Sequence, residues 1–508
     1  MFGKSPAVPP VLTSRAPSLV DLLDRAVADH PDRPAIDFHG RTYTYRRLGE
    51  LVDKAACGFQ QLGVRPGVRV GLCLPNTPFH VISYFAVLKA GGIVVSFNPL
   101  YTVPELKHQV EDSGTTLMVT LDLRLIYPKI AALLDDTGLE RIVVCALGDV
   151  LPATRSLLFS TFGRSQRAAV PRDLRHVPFA RLVENDGRLR PVTTDPARDV
   201  AVLQYTGGTT GVPKGAMLTQ ANLASNAEQL LTVIPDARPG AERMLVVLPL
   251  FHIYAMTVAM NLGLRIGAEL ILLPRFDARK VLETLIRKRA TMLPGVPTLY
   301  TAVAEAAEKA GVTLPHLRVC ISGGAPLPDE VRRRFEAASG CRLVEGYGLS
   351  EASPVVTCNP LDAARAGSIG LPLPGTTVEI RDPARPSRRL RDGEKGELCV
   401  RGPQVMSGYW RRPDETRTTF VDGALRTGDI GYRDPDGYLH VVDRIKDVIL
   451  CGGFNVYPRM IEEALYRHPA VREAVVSGFR IPIAARCPRP SSACGRTQPR
   501  PSTSCAAF

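Results

Sequence analysis

The feature that most constrains the fold is a repeated alternation of short apolar runs with helix-like segments. VRVGLCL at residues 68–74 is followed by PFHVISYFAVLKAG, GIVVSF, TVPELKHQVEDSG and TLMVT. Strand, helix and strand at this spacing predict a mostly parallel sheet covered on both faces. The pattern resumes after residue 199 with DVAVLQYT, MLVVLPL, ELILL and LRVCIS. We therefore predict an α/β protein whose large N-terminal body contains two layered α/β subdomains.

The texture of the sequence changes between about residues 375 and 442. Short apolar segments such as TTVEIRD, GELCVRG and GYLHVVD alternate there with Gly and Pro, which indicates strands and turns. We predict a β-rich subdomain in this range. Beyond the charged stretch DRIKD, the segments VILCGG, PRMIEEALYRHP and REAVVSG predict a small mixed α and β unit, whose helix has a proline in its first turn.

Composition excludes several classes of protein. The 508 residues are 45% apolar and 22% charged, which is typical of globular chains with several compact units. Eleven cysteines are scattered without CxxC pairs, which predicts reduced, buried thiols in a cytosolic protein and no zinc-type cluster. The first residues contain no continuous apolar run, so we expect no signal peptide. No run reaches the roughly 18 apolar residues of a membrane span.

The net charge of +13 is concentrated in two segments. Residues 151–190 contain eight Arg against three acidic residues, and residues 480–508 contain five Arg and no acidic residue. A nucleic-acid binder usually interleaves aromatic residues with a basic stripe, whereas aromatic residues are only 6% here. Phosphate-rich small molecules or an anionic lipid surface fit this charge better. Segment 151–190 is interpreted either as a membrane-surface segment or as a solvated surface excursion.

Residues 205–215, YTGGTTGVPKG, have the composition of a polyphosphate-binding loop. The glycines allow the backbone to present its amides, the threonines offer hydroxyls, and Lys214 adds a positive charge. We expect the loop to join a strand to a helix, with Lys214 beside the helix N-terminus. The loop is not a Walker A motif, because Gly215 rather than Ser or Thr follows Lys214.

With this loop and the motifs below, the chain resembles the adenylate-forming superfamily of acyl-CoA synthetases, luciferases and peptide-synthetase adenylation domains. The likeness runs from about residue 18 to residue 479 and is strongest to long-chain and medium-chain fatty acid CoA ligases. It implies a two-step reaction. A carboxylate attacks the α-phosphorus of ATP to give acyl-AMP and pyrophosphate, and the thiol of coenzyme A then displaces AMP.

The motif GYGLSE supplies the first set of site residues that the resemblance implies. Tyr347 would stack on adenine, Ser350 would bond a phosphate, and the hard carboxylate of Glu351 would hold Mg²⁺. A tight turn with a capping Ser is the alternative interpretation of the two glycines. It does not explain the acid.

Four further motifs match positions of the same superfamily. Asp429 in RTGDIG and Arg444 in DRIKD are implied ribose contacts, although an Asp after Gly is ordinarily a turn residue. The segment Ser322–Leu327, SGGAPL, resembles the adenine-binding loop, and its glycines are equally compatible with a plain turn. His252 in LPLFHIYAM is implied to orient the substrate carboxylate. A core histidine without such a role is the alternative.

The resemblance also implies a mobile C-terminal lid that turns about a hinge near Lys446. On this basis residues 1–443 form the AMP-binding domain, with its β-rich part at about 375–442, and residues 444–479 form an incomplete lid. Family members carry a lysine on a late loop of the lid, whereas this sequence has no lysine after Lys446. We therefore expect weak adenylation by the chain as written. Thioester formation should suffer less, because Lys446 and the glycines Gly452 and Gly453 remain.

The residues from 480 to 508 do not resemble a folded segment. Five Arg, five Pro and three Cys occur among 29 residues that contain no Asp, Glu or Lys, so this composition predicts a disordered tail. A set of codons exists for residues 480–490 that, with one added nucleotide, encodes P-D-P-Y-R-G-E-V-P-K-A, the continuation expected from the family. Our hypothesis is an out-of-frame translation or a sequencing error that imitates one, and the alternative is a genuine disordered extension.

The sequence therefore predicts a fatty acid CoA ligase that uses ATP, coenzyme A and Mg²⁺. Its expected partners are small molecules and not nucleic acid. We also expect a peripheral contact with the inner face of the membrane, and the oligomeric state stays open. Two alternatives stay open within enzymes: an acyl-AMP ligase that loads a carrier protein, and a ligase for aryl or dicarboxylic acids. The alternative from another class is a non-catalytic nucleotide-binding remnant of a frameshifted gene.

Overall fold

The computed structural model describes residues 17–207, 212–447, 449–451, 454–466, 471–479 and 487–494. The chain divides into two compact units. The first comprises the described residues up to Val378 together with Val400–Leu425. The second comprises Glu379–Cys399 and the described residues from Arg426 onward. The predicted boundary after residue 443 is not one of these breaks, and it stays a prediction.

The strands found in the described residues are numbered in chain order. Strands β1 to β9 span Pro34–Phe38, Arg41–Thr44, Arg69–Cys73, Ile93–Ser96, Leu117–Leu121, Arg141–Cys145, His176–Pro178, Val200–Thr206 and Lys214–Thr219. Strands β10 to β17 span Arg243–Val246, Glu269–Leu272, Met292–Gly295, Val319–Ser322, Leu343–Gly348, Val355–Cys358, Leu371–Pro372 and Thr377–Arg381. Strands β18 to β25 span Gly396–Arg401, Phe420–Val421, Ala424–Arg433, Leu439–Arg444, Ile449–Cys451, Phe454–Val456, Val471–Phe479 and Cys487–Cys494.

The α-helices are numbered in the same way, over the same residues. Helices α1 to α8 span Leu19–Asp29, Tyr45–Gln61, Pro78–Lys89, Val103–Ser113, Tyr127–Ala131, Leu133–Asp136, Ala153–Phe162 and Phe179–Leu182. Helices α9 to α15 span Gln220–Leu230, Leu262–Arg265, Ala278–Lys288, Pro297–Ala310, Asp329–Ser339, Pro413–Thr419 and Pro458–Tyr466. The other helical turns are 3₁₀ at Leu147–Val150, Arg164–Gln166 and Ser350–Ala352, and π-helical at Ala255–Asn261.

Two sheets form the first unit, as the alternation of strands and helices predicts. The first has the order β7-β6-β5-β3-β4-β8-β9 and is parallel except for the antiparallel pair β8–β9. Its inner strands are buried on both faces and consist of near-continuous apolar residues, which is typical of parallel sheets. Helix α3 is buried over almost its whole surface and lacks a polar face. These contacts confirm the predicted layered α/β architecture.

The second sheet of this unit has the order β16-β15-β14-β13-β12-β10-β11-β1-β2. Its centre is parallel, and antiparallel strands flank it at both ends. Strand β1 pairs with β11, far away in sequence. On the side of α11, α12 and α13, the core of this sheet is closed by Tyr300 and Phe335, whose rings pack edge to face with centroids 4.8 Å apart.

The second unit begins with the predicted β-rich segment, in which β17, β18, β20 and β21 are neighbours in that order. Strand β20 pairs antiparallel with β21. The predicted helix PRMIEEALYRHP is present as α15, Pro458–Tyr466, within the described residues. A short hairpin, β22–β23, precedes it.

The segment beyond residue 479 differs in part from the predicted disorder. Residues 487–494 form β25, which pairs antiparallel with Val471–Phe479, while residues 480–486 and 495–508 lie outside the described residues. The prediction considered only the lack of a buried core, whereas a two-stranded ladder requires only backbone groups. Pro488 and Pro490 are compatible with it because β25 is an edge strand, and an edge strand can lack amide donors on its outer side.

Candidate active site

The predicted phosphate loop joins two strands of the first unit. Strand β8 ends at Thr206 and β9 begins at Lys214, and the two pair antiparallel with Thr206 opposite Lys214. Residues 208–211, which include Gly208, lie outside the described residues. The expected helix after the loop begins only at Gln220, where Thr219 caps it by accepting from the amide of Asn222. The prediction that Lys214 lies beside a helix N-terminus is therefore wrong. Lys214–Thr219 continues the ladder as a strand.

Lys214 and Glu351 are brought to the same place by a residue that the sequence analysis did not single out. Tyr409 donates its hydroxyl to Oε1 of Glu351 at 2.7 Å. Nζ of Lys214 lies 5.6 Å from the centroid of the Tyr409 ring, within the range of a cation–π contact. Burial and the adjacent Glu351 carboxylate raise the pKa of Tyr409, so the phenol stays protonated and can donate. All three side chains are partly buried.

Backbone hydrogen bonds fix the segment that carries Tyr409 onto β9. The amide of Met217 donates to the Gly408 carbonyl at 2.8 Å, and the amide of Ser407 donates to the Met217 carbonyl at 3.0 Å. The amide of Trp410 donates to the Gly215 carbonyl at 2.8 Å. The positions of Lys214 and Tyr409 therefore depend on a shared ladder rather than on flexible side chains.

The motif GYGLSE forms the end of β14 and the 3₁₀ turn that carries Glu351. Tyr347 is half-buried on β14, opposite Thr357 of β15. A Cβ atom at Gly348 would lie 1.8 Å from the Pro354 carbonyl oxygen, so only glycine fits there. Ser350 begins the turn, and the carbonyl of Glu351 accepts from the Met406 amide at 2.8 Å. The turn and the acid of the motif are therefore both present.

The segment Ser322–Leu327 follows β13, the parallel neighbour of β14. Gly324 has φ +78°, a left-handed conformation that favours glycine. A Cβ atom at Gly323 would lie 3.1 Å from Cζ of Tyr254, whose hydroxyl donates to the Ile321 carbonyl at 2.7 Å. The Ser322 hydroxyl is buried and has no hydrogen-bond partner among the described residues. Both glycines therefore have structural roles that do not depend on a ligand.

His252 lies between β10 and the π-helical turn Ala255–Asn261. Its ring packs against Phe251, with ring centroids 4.7 Å apart. Burial by neighbouring protein lowers the pKa of His252, although part of the residue stays exposed, so the neutral imidazole is favoured at pH 7. Tyr254, two residues later, connects this segment to the glycines after β13. The structure therefore brings the His252 segment beside Ser322–Leu327.

The second unit contains the two predicted ribose contacts. Asp429 and Arg444 are opposite residues of the β20–β21 ladder, with Nε of Arg444 3.4 Å from Oδ1 of Asp429. The Asp429 amide also donates to Oγ1 of Thr427 at 3.0 Å. Lys446 is exposed in the turn after β21, whereas Gly452 and Gly453 lie outside the described residues. The structure thus pairs two residues that the sequence analysis took from separate motifs.

The described residues contain no group of three or more His, Cys, Asp or Glu side chains that could hold a metal ion. Glu351 supplies one carboxylate outside any such group. Such a ligand suits Mg²⁺, which proteins commonly hold through one or two carboxylates together with substrate phosphates and water.

Comparison with known proteins decides the family. The family model described as "AMP-binding enzyme" matches residues 23–410. The chain belongs to the AMP-binding enzyme family. A long-chain-fatty-acid--CoA ligase of Bacillus subtilis is 40% identical over 473 residues, which cover 91% of this chain and 82% of the relative. A feruloyl-CoA synthase of Amycolatopsis is 36% identical, over 89% of this chain and 84% of the relative.

A comparison with solved structures extends the likeness from sequence to fold. The ATP-bound structure of MatB from Rhodopseudomonas palustris is 31% identical to this chain and has a TM-score of 0.79. The superposition covers 94% of this chain and 89% of that one. The family match includes Lys214, His252, Glu351 and Tyr409 and ends before Asp429.

Two residues of this AMP-binding enzyme that contact the candidate site were missed by the sequence analysis. Tyr409 lies in MSGYWRRPDE, a segment with no charged or Gly-rich pattern before Trp410, and only the ladder with β9 reveals its position. Tyr254 lies two residues after His252 in the same motif, LPLFHIYAM, and this proximity is the signal that could have identified it. No local pattern distinguishes either tyrosine from a core aromatic residue.

Proposed function

We propose that this AMP-binding enzyme is an ATP-dependent fatty acid CoA ligase. The observation that carries the proposal is the group Lys214, Tyr409 and Glu351 at the end of the loop 205–215. It supplies a cation and a carboxylate that contact the same phenol, and we infer that the polyphosphate lies beside them. The likeness to long-chain fatty acid CoA ligases over 91% of the chain supports the substrate class.

The chemistry that these residues need to perform is mainly electrostatic. The fatty acid carboxylate is ionised at neutral pH, so attack on the α-phosphorus of ATP requires positioning and charge neutralisation more than proton transfer. Lys214 would offset negative charge on the phosphates. The neutral imidazole of His252 would orient the carboxylate and would not act as a general base.

The residues around Glu351 fit a magnesium ion shared with ATP. Glu351 would hold it through a carboxylate oxygen, and Tyr409 would fix the carboxylate's orientation through the hydrogen bond to Oε1. When bound, Mg²⁺ supplies charge neutralisation at the transferring phosphate.

The nucleotide would be held by the remaining predicted residues. Tyr347 would stack on adenine, Ser350 would bond a phosphate, and the glycines of Ser322–Leu327 would leave room for the base. Asp429 would accept the ribose hydroxyls, with Arg444 as the second contact.

A second substrate class, aryl acids, is favoured by one observation, the 36% identity to a feruloyl-CoA synthase. The two classes differ in the shape of the acyl pocket, and a chain-length series run beside ferulate and benzoate separates them. A preference for ferulate by more than about tenfold in kcat/KM would overturn the fatty acid assignment.

The deciding experiment measures acyl-CoA formation by the 508-residue chain with a fatty acid, ATP, Mg²⁺ and coenzyme A. A parallel reaction supplies synthetic acyl-AMP and coenzyme A, which isolates the second half-reaction. Activity from ATP supports the proposal. Activity from acyl-AMP alone assigns the defect to adenylation. ATP binding without pyrophosphate release or thioester formation would instead support a non-catalytic nucleotide-binding protein, and activity only with carrier-protein thiols would support an acyl-AMP ligase.

We also propose that the protein contacts the membrane peripherally, because its substrate and product are amphipathic. Among the described residues no helix is long and apolar enough to cross a bilayer.

A further inference from the structure

Helix α7, Ala153–Phe162, differs from the other long helices of the first unit because none of its residues is buried. Leu157, Leu158 and Phe162 are 67%, 56% and 83% exposed. They lie on neighbouring positions of one helical face, which we call the α7 face. A contiguous exposed patch of large apolar side chains commonly marks an interaction surface.

The helix rests on its opposite side. Ser156 and Phe159 are only partly exposed, and the position of Phe159 is fixed by the close approach of Gly163, where a Cβ atom would lie 2.4 Å from the Phe159 ring. Residues 147–150 and 164–166 flank the helix at its two ends. The α7 face is therefore the more exposed side of the helix.

Two hydroxyls of the helix bond to its own backbone. Ser160 donates its hydroxyl to the Leu157 carbonyl at 2.7 Å, and Thr161 donates to the same carbonyl at 3.1 Å. Hydroxyls bonded back to their own helix need no water partner, so they lower the cost of moving the face into an apolar phase.

The segment that carries the α7 face is basic. Residues 151–172 contain four Arg and no Asp or Glu. Arg155 and Arg164 have no carboxylate within ion-pair distance among the described residues. Leu125, 70% exposed, follows Arg124, whose amide donates to the Gln166 carbonyl at 2.8 Å, so this leucine adjoins the same surface. Apolar side chains flanked by unpaired arginines are typical of segments that lie in the headgroup region of anionic membranes.

We propose that the α7 face docks this protein onto an anionic lipid bilayer, with Leu157, Leu158 and Phe162 inserted and Arg155 and Arg164 on the headgroups. The inference deepens the proposed peripheral membrane contact and rests on that part of the proposed function. It does not depend on catalysis. Charge complementarity selects lipid over a second copy of this chain, because two α7 faces would bring like charges together.

The test is sedimentation with two kinds of vesicle. One contains phosphatidylcholine alone, and the other also contains about 30% of the anionic lipid phosphatidylglycerol. We expect binding to the anionic vesicles that weakens at high salt. The triple variant Leu157→Ser, Leu158→Ser, Phe162→Ser should bind at least about tenfold more weakly, and the double variant Arg155→Gln, Arg164→Gln should lose most of its preference for anionic lipid.

Two matched controls separate membrane insertion from other effects. The variant Leu157→Ile, Leu158→Ile, Phe162→Leu keeps the apolar character and should bind like the parent. Val475→Ser, at an exposed aliphatic residue of the second unit, should also leave binding unchanged. Because the substituted face is exposed, the thermal midpoint of every variant should change little.

Fluorescence gives a direct measure of insertion. The chain contains one tryptophan, Trp410. Phe162→Trp adds a reporter on the α7 face, and brominated lipids should quench its emission while leaving the parent's emission unchanged. The proposal is overturned if the serine triple variant binds as tightly as the parent, if the parent does not bind anionic vesicles, or if the variant changes the oligomeric state instead.

Discussion

The hydroxyl of Tyr409 donates to Oε1 of Glu351 at 2.7 Å. The ring of the same tyrosine lies under Nζ of Lys214, at 5.6 Å from its centroid. One phenol therefore contacts both Lys214 and Glu351. The arrangement assigns Tyr409 the role of a positioning residue, since it acts on the carboxylate through its hydrogen bond.

Tyr409→Phe should reduce adenylation about tenfold or more, because a hydrogen bond to a charged group contributes about 1.5 to 3 kcal/mol. The ring and its contact with Lys214 would remain. Pyrophosphate exchange measured against Mg²⁺ concentration should show a raised requirement for Mg²⁺. Tyr45→Phe is the control, because it also removes one phenol hydrogen bond, to the Ala268 carbonyl at 2.7 Å, at a residue with no role in the candidate site. Equal Mg²⁺ curves for parent and Tyr409→Phe would show that the bond is only structural.

Glu351→Gln should lower the adenylation rate by about a hundredfold or more, because the neutral amide cannot hold a hard cation near the phosphates. Transfer from synthetic acyl-AMP to coenzyme A should be much less affected. Glu351→Asp keeps the charge and should retain more adenylation than Glu351→Gln. If the two half-reactions fall equally, the carboxylate supports the fold of the turn rather than ATP chemistry.

The two glycines of the GYG sequence should respond differently to alanine. At Gly348 a Cβ atom would lie 1.8 Å from a backbone carbonyl oxygen, so Gly348→Ala should destabilise the first unit by more than about 4 kcal/mol or prevent folding. At Gly346 the nearest atoms are 3.6 Å away, which is ordinary contact. Gly346→Ala should therefore fold, and a raised KM for ATP in this variant would indicate that the base approaches this backbone. Thermal midpoints and soluble yield measure the first effect.

Stability should fall in mild acid because of His80 in α3. Burial lowers the pKa of His80 to about 4, from 6.5 in an unfolded chain. Between these values the unfolded chain binds a proton that the folded protein does not, so stability is lost as pH falls from about 6.5 to 4, by roughly 3 kcal/mol in all. Urea midpoints measured from pH 7 to pH 5 should decline less in His80→Gln than in the parent. Parallel declines would contradict the assignment to His80.

Much of the fold and part of the candidate site could be predicted from sequence. Apolar runs alternating with helical patterns identified the parallel strands, because burial on both faces requires such runs. The motif GYGLSE identified Glu351 as a candidate site residue. In the structure, Glu351 accepts a hydrogen bond from Tyr409, whose ring contacts Lys214. The fold predictions concern local patterns whose physical cause lies within a few residues, and the role of Glu351 stays a prediction.

The errors arose where distant segments decide the outcome. Lys214 was expected beside a helix N-terminus. Instead, Lys214–Thr219 is a strand, because it pairs with Val200–Thr206 and with residues 407–410. The strand at 487–494 depends on a partner at 471–479 rather than on its own composition. Tyr409 carries no local signature, since its role comes from the ladder that places it. The roles that stay predictions are those assigned to Lys214, His252, Tyr347, Ser350, Glu351, Asp429 and Arg444 and to the loop Ser322–Leu327.

Strand β9 has a consequence for how sequences of this kind can vary in length. The spacing between Lys214 and Tyr409 is set by hydrogen bonds from Met217 and Trp410, so the chain between them can gain or lose surface residues without moving either side chain. An insertion inside β9 is different. A slip of one residue would turn Lys214 to the opposite face of the sheet and remove it from Tyr409. Tolerance to insertion should therefore change abruptly at the two ends of this six-residue strand.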